Sequence, residues 1–202
     1  MRIVLMAVGV LLAGAAMAKP GIDAPFAAAS PDAVAPFGSA VGGAFTNYSR
    51  VAPSIATAAA PGVAGVEQAK AMGFRHLIDL RGDSERGVAA EAQRANEIGL
   101  RRTSLPMPME AGAIPAFLER LAAELEGAGG YPVLMVCGSA SRTSAAWALY
   151  RAKRGVPPLV AIEEGRAAGL SPRGEVLVRA ALGLAPVEAA TPPPTITTGA
   201  AN

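Results

Sequence analysis

The sequence predicts an α/β domain with a central, largely parallel sheet of about four strands flanked by helices. Three observations predict it. Short apolar runs alternate with amphipathic stretches between Asn47 and Leu184, and helical stretches then finish the chain. The runs HLIDL (His76 to Leu80) and VLMVC (Val133 to Cys137) are apolar at nearly every position, as in strands buried on both faces. Glycines stop the helical patterns at Gly73, Gly99 and Gly169, and Pro106 and Pro108 close a strand pattern.

Taken in order, Asn47 to Val51 reads as a short extended segment or strand. Pro61 precedes GVEQAKAMG, whose Val63, Val66, Ala69 and Met72 fit one helical face. Phe74 to Leu80 is a central strand, followed by a turn at Arg81 to Ser84. Glu85 to Ile98 is helical, and Leu100 to Leu105 is a strand. Ile114 to Gly127 is an amphipathic helix with Ile114, Phe117, Leu118, Leu121 and Leu125 on one side. Val133 to Val136 is the strand that leads to Cys137. Helices then run over Arg142 to Lys153, Val160 to Ala168 and Pro172 to Leu184. Trp147, at helical spacing from Tyr150 and Arg151, reads as packing against the sheet.

The chain has 202 residues and a formal net charge of +2. It begins MRIVLMAVGVLLAGAAMAKP, with Arg2, an apolar run from Ile3 to Leu12, and Ala16-Met17-Ala18. That is the pattern of a signal peptide cut after Ala18, with an apolar run too short for a comfortable membrane span; an uncleaved N-terminal anchor is the alternative. The expectation is therefore a periplasmic or secreted bacterial protein with no stable membrane span once the peptide is removed. Residues 19–46 are rich in Ala, Pro, Gly and Ser without periodicity and read as a disordered leader. Residues 185–202, APVEAATPPPTITTGAAN, read as a disordered Pro/Thr-rich tail. The 47–184 stretch between them suits one domain. No basic cluster with interleaved aromatics is present, which argues against a nucleic-acid partner. His76 is the only histidine and Cys137 the only cysteine, so neither an intrachain disulfide nor a zinc site is expected. The expected cofactor set is none.

The chemistry concentrates in PVLMVCGSASRTSAAWALY, Pro132 to Tyr150. A strand delivers Cys137 into a loop of small residues, Arg142 follows, and a helix begins. Loop N–H groups and the positive end of the helix dipole favour negative charge in such a turn. The same field favours a thiolate, and an arginine beside it can hold an oxyanion through two hydrogen bonds. This is equipment for transferring a phosphoryl or sulfur group. A buried cysteine acting as a small apolar residue is the plainer alternative.

Three segments together resemble the phosphatase-like proteins of the DUF442 group, within the tyrosine/dual-specificity phosphatase fold and sometimes classed as sulfur transferases. They are GFRHLIDLRGDSE, GLRRTSLPM and VCGSASRTSAAWALYRAKRGVPPLVAIEEGRAAGL, and the resemblance spans Tyr48 to Leu184. It implies a phosphatase-like fold with Cys137 as nucleophile and Arg142 as oxyanion clamp. Gly138, Ser139, Ala140 and Ser141 would supply loop N–H donors, and Thr143 a hydroxyl that helps hold the thiolate. The chain departs from the usual tyrosine-phosphatase pattern in three ways. Four residues, not five, separate Cys137 from Arg142, the loop length of rhodanese sulfurtransferases. Val136 stands where histidine is usual. Ala140 replaces a loop glycine, at a position where the backbone needs positive φ.

A phosphatase of this kind uses a general acid on a loop some tens of residues before the cysteine. Here that stretch is PMPMEAGA, whose only carboxylate is Glu110. Asp83, on the turn after the first central strand, is next, and both also read as solvated loop carboxylates. Arg81 and Glu85 read as a structural pair near the site. Asp79 interrupts an apolar strand, so it requires a buried partner. Three readings of the site follow. The first is a phosphate-monoester hydrolase acting through a cysteinyl-phosphate on a phosphorylated protein or small molecule. The second is a rhodanese-like sulfurtransferase using a Cys137 persulfide. The third is an inactive anion- or partner-binding module.

Overall fold

A computed structural model describes residues 31–127 and 130–186. The expected signal peptide, residues 19–30 of the expected leader and residues 187–202 of the tail lie outside the described residues. Strands β1 (Ser49–Ala52), β2 (Ile55–Ala58), β3 (His76–Asp79), β4 (Arg101–Ser104) and β5 (Val133–Val136) form one sheet in the order β1-β2-β5-β3-β4. Only β1 and β2 pair antiparallel; every other neighbour is parallel. The sheet thus has five strands rather than about four. The additional strand, β2, reads Ile-Ala-Thr-Ala and runs into Ala59 and Ala60, so it lacks both the bulky run and the alternation that mark a strand. All four of its residues are buried, so small side chains suit a strand pressed between two helical layers.

The helices are α1 (Gly38–Val41), α2 (Gly62–Ala71), α3 (Val88–Glu97), α4 (Ile114–Glu126), α5 (Ser141–Lys153), α6 (Pro158–Ala167) and α7 (Pro172–Ala181). Side chains alternate across the sheet. Val133, Met135 and Cys137 of the β5 segment join one core with α4 to α7, while Leu134 and Val136 join a second core with α2 and Phe74. Cys137 therefore faces the α4–α7 layer, and Val136 turns away from it. Trp147 is buried in that layer with its ring beside Tyr150. Among the described residues, no helix is long and apolar enough to cross a membrane.

Two expected boundaries move. Residues 32–46 are not a loose leader, because Ala35, Val41 and Phe45 are buried in the second core, where Phe45 meets Phe74 edge-on. Three well-spaced apolar side chains anchor a segment whose composition alone reads as mobile. Helix α3 starts at Val88, not Glu85. Gly87 adopts φ +83° before it, and Glu85 sits in a turn closed by its N–H on the Gly82 carbonyl at 3.0 Å. That turn frees the Glu85 side chain for another role.

Candidate active site

The carboxyl end of β5 lies between the ends of β2 and β3, the edge at which parallel sheets bind ligands. Cys137 follows β5 directly and is 1 % exposed. Its N–H donates to the Ala58 carbonyl at 3.3 Å, which continues the ladder one residue beyond the strand. The chain then turns through Gly138, Ser139 and Ala140 into α5. Ala140 takes φ 75°, the left-handed conformation expected where it replaces glycine. Its carbonyl holds the turn by accepting from Thr143 Oγ1 at 2.7 Å and Ser144 Oγ at 2.8 Å. Asn47, itself at φ 52°, donates Nδ2 to the Ser139 carbonyl at 3.1 Å from the other side. An antiparallel bridge joins Ser139 to Ala59 and pins the loop to the end of β2, while the Gly138 N–H donates to no described acceptor and is available to an anion.

Arg142 stands on the first turn of α5. Its Nη1 and Nη2 each meet a Glu85 carboxylate oxygen at 2.6 Å, and Nη1 also lies 3.4 Å from the Leu80 carbonyl. Glu85 is fixed in turn by the Gly82 N–H at 2.8 Å. The Arg142 hydrogen bond holds the Glu85 carboxyl well down, at about 2, with the Gly82 N–H assisting against burial. Arg142 is raised above its ordinary value by Glu85 first, with smaller contributions from a hydrogen bond and charge interaction with Cys137. Nε of Arg142 has no oxygen partner among the described residues, so the group remains able to bind an oxyanion.

A cleft of about 360 Å³ opens beside the loop. Ser139, Ser141 and Arg142 line one side, and Met107, Met109 and Leu177 form an apolar wall. The Met107 N–H donates to the Leu80 carbonyl at 3.1 Å, which seats the Pro-rich segment against the end of β3. Helix α7 closes the far side, with Ser171 Oγ 2.7 Å from Ser141 Oγ. A larger cleft of about 550 Å³, lined by Asn96, Arg101 and Arg102 between α3 and β4, holds no nucleophile.

Of the sequence-predicted residues, Cys137, Arg142, Gly138, Ser139, Ala140 and Ser141 come together here. The Thr143 hydroxyl is spent on the Ala140 carbonyl, so it braces the turn. Glu110 is exposed and directly follows the cleft-lining Met109. Asp83 is exposed and accepts from Ser104 Oγ at 2.9 Å, which ties it to the end of β4. The expected Arg81–Glu85 pair is not formed. Arg81 instead binds Asp79 and Glu91, with Nε on Asp79 Oδ1 at 2.9 Å and Nη1 on Glu91 Oε1 at 3.3 Å. Asp79 thereby gains its buried partner, and Arg102 adds a second at 3.0 Å. His76 lies at the opposite edge of the sheet, with Nε2 2.9 Å from Thr103 Oγ1. Burial, then Arg101, lowers its pKa to about 4. Sequence reasoning missed Asn47, whose one signal is the tolerance of asparagine for positive φ. It also missed Arg173 and Ser171, which the α7 fold brings to the cleft from 30 residues beyond the loop.

A mixed sheet between helical layers, with a cysteine, a small-residue loop and an arginine at its carboxyl edge, is the architecture of a phosphatase-like domain. Residues 46–154 match the family described as beta-lactamase hydrolase-like protein, phosphatase-like domain, and the chain belongs to that family. Solved structures agree on the fold. A DUF442 protein from Shewanella putrefaciens CN-32 is 20% identical over 72% of this chain and 96% of its own, with a TM-score of 0.56. TpbA from P. aeruginosa is 22% identical over 75% and 92%, with a TM-score of 0.53, and is also known in complex with pTyr. The catalytic core of the PP-IP phosphatase Siw14 from S. cerevisiae is 12% identical over 66% and 84%, with a TM-score of 0.53. No curated protein matches the chain.

Proposed function

We propose that the protein hydrolyses phosphate monoesters through Cys137. One observation carries this reading above the others. The buried cysteine opens a small-residue loop in which the Gly138 N–H is uncommitted, beside an arginine that Glu85 holds in place. The Cys137 thiolate attacks phosphorus as the bond to the ester oxygen breaks, and Glu110 is the acid that protonates the departing oxygen. Water then attacks the cysteinyl-phosphate, the S–P bond breaks, and the thiolate returns as phosphate leaves. Arg142 and the loop N–H groups hold the equatorial oxygens, where charge concentrates. The N-terminal sequence supports export, so the substrate is met outside the cytoplasm.

A second reading is favoured by the four-residue spacing from Cys137 to Arg142. Thiosulfate would pass its outer sulfur to the thiolate, leaving sulfite, and cyanide would accept that sulfur from the persulfide. The test is a paired assay of reduced protein and Cys137→Ser, on an aryl phosphate and on thiosulfate with cyanide. Cys137-dependent phosphate release is expected. Cys137-dependent thiocyanate alone would move the protein to sulfur transfer. Saturable phosphate binding without either product would make it a binding module.

A further inference from the structure

We infer that Arg173 is a specificity residue of the cleft, selecting phosphate esters that carry a second anionic group close to the ester. This deepens the phosphatase reading and rests on it. The argument begins with charge. Arg142 is matched by Glu85, and a thiolate at Cys137 would add negative charge. The cleft is lined by no carboxylate, and Arg173 is the second cation on its wall. Arg173 is exposed and makes no hydrogen bond or ion pair with a described residue. In contrast, the neighbouring Arg166 and Arg179 both bind Glu175.

Its placement is rigid. The Ser171 hydroxyl accepts from the Gly174 N–H at 3.1 Å and lies 2.7 Å from Ser141 Oγ, so the first turn of α7 is tied to the cysteine loop. Gly174 approaches so closely that a Cβ there would meet Ser141 Oγ at 2.9 Å. Arg173 therefore projects from a fixed base at the rim of the cleft. A guanidinium in that position suits a carboxylate or phosphate beyond the scissile group, bound through two donors. Met107, Met109 and Leu177, the last one turn along α7 from Arg173, provide an apolar surface in the same cleft for the carbon frame joining the two anions.

The test compares phenyl phosphate, meta-carboxyphenyl phosphate and meta-phenylene bisphosphate on the full chain, its Arg173→Gln variant and its Arg173→Lys variant. The readout is the ratio of kcat/KM for each doubly anionic ester to that for phenyl phosphate. The wild-type ratio should fall about tenfold in Arg173→Gln, recover largely in Arg173→Lys, and shrink as salt rises. The ester with the larger wild-type ratio identifies the second group as carboxylate or phosphate. An unchanged ratio, or an equal loss on all three esters, overturns the inference. Failure of wild type on every ester would instead sink the phosphatase reading. The inference is then decided by calorimetric binding of phosphate and pyrophosphate to Cys137→Ser. A pyrophosphate preference lost on adding Arg173→Gln supports it, and no such preference overturns it.

Discussion

Two arginines of this protein each grip a carboxylate with paired donors, yet they do different work. Arg81 is buried between Asp79 and Glu91, and all three of its nitrogens are engaged by protein. Arg142 has Glu85 as its one carboxylate partner, its side chain is 26 % exposed, and its Nε has no oxygen partner among the described residues. The first arrangement is closed and can only hold the fold. The second is anchored on one side and open on the other, so it can hold a ligand without moving. The two are coupled through chain geometry. Arg81 fixes the end of β3, and the turn that follows presents Glu85 to Arg142. Burying one ion pair is weak evidence for stability, but breaking one leaves an uncompensated charge inside the protein.

The largest effect should follow from opening the closed centre. Arg81→Leu strands Glu91 without its partner and leaves Asp79 with Arg102 and the backbone N–H of position 81. The expected loss is about 3–5 kcal/mol, read from a denaturant midpoint, which is a large share of a domain's total stability. A loss below about 1 kcal/mol would erase the distinction between the centres. Arg142→Ala should invert the pattern. On the proposed reading, kcat/KM for an aryl phosphate falls by about 10²–10³, while stability changes by less than about 1 kcal/mol. A stability loss as large as that of Arg81→Leu would show that Arg142 is structural.

Glu85→Gln sharpens the comparison at the hinge between the two. The amide can accept one hydrogen bond from Arg142 but cannot hold both nitrogens as a carboxylate does, so turnover should fall about tenfold. The pH dependence has a definite sign. The Glu85 carboxyl is lowered from 4.5 to about 2, so folded protein holds its proton less tightly than unfolded chain. The contribution is fully present above pH 4.5 and is lost as pH falls through about 2. Wild type and Glu85→Gln should therefore differ in melting temperature near neutrality and converge in strong acid. Curves that stay parallel down to the acid limit would contradict the ion pair.

Much of this was legible in the sequence, for physical reasons that also mark where legibility stopped. The parallel sheet followed from HLIDL and VLMVC because strands buried on both faces are apolar throughout. Cys137, its loop and Arg142 were legible because strand, loop and helix are contiguous there. Strand β2 was not, since Ile-Ala-Thr-Ala carries little local preference and is a strand only because β1 and β5 pair with it. The partner of Glu85 was misread because Arg81 is near in sequence, whereas Arg142 is 57 residues away. Arg173 escaped for the same reason. Its value depends on where α7 returns, and no local pattern reports that.

The smallest expected effect belongs to Ala140→Gly, and it tests how the open centre is held. A left-handed alanine costs about 1–2 kcal/mol relative to the ordinary conformation, and glycine would remove that strain. Glycine also gives the unfolded chain more freedom, worth about 0.5–1 kcal/mol, and deletes a buried methyl worth about 0.8 kcal/mol. These terms nearly cancel, so melting temperature should shift by only a few degrees, about the effect of 1 kcal/mol or less. If the hydrogen bonds from Asn47, Thr143 and Ser144 set the loop, phosphate affinity should change no more than about threefold as well. A larger loss of affinity at unchanged stability would mean that the stiffness of alanine itself orders the N–H groups. The open centre would then depend on backbone restriction where the closed one depends on charge.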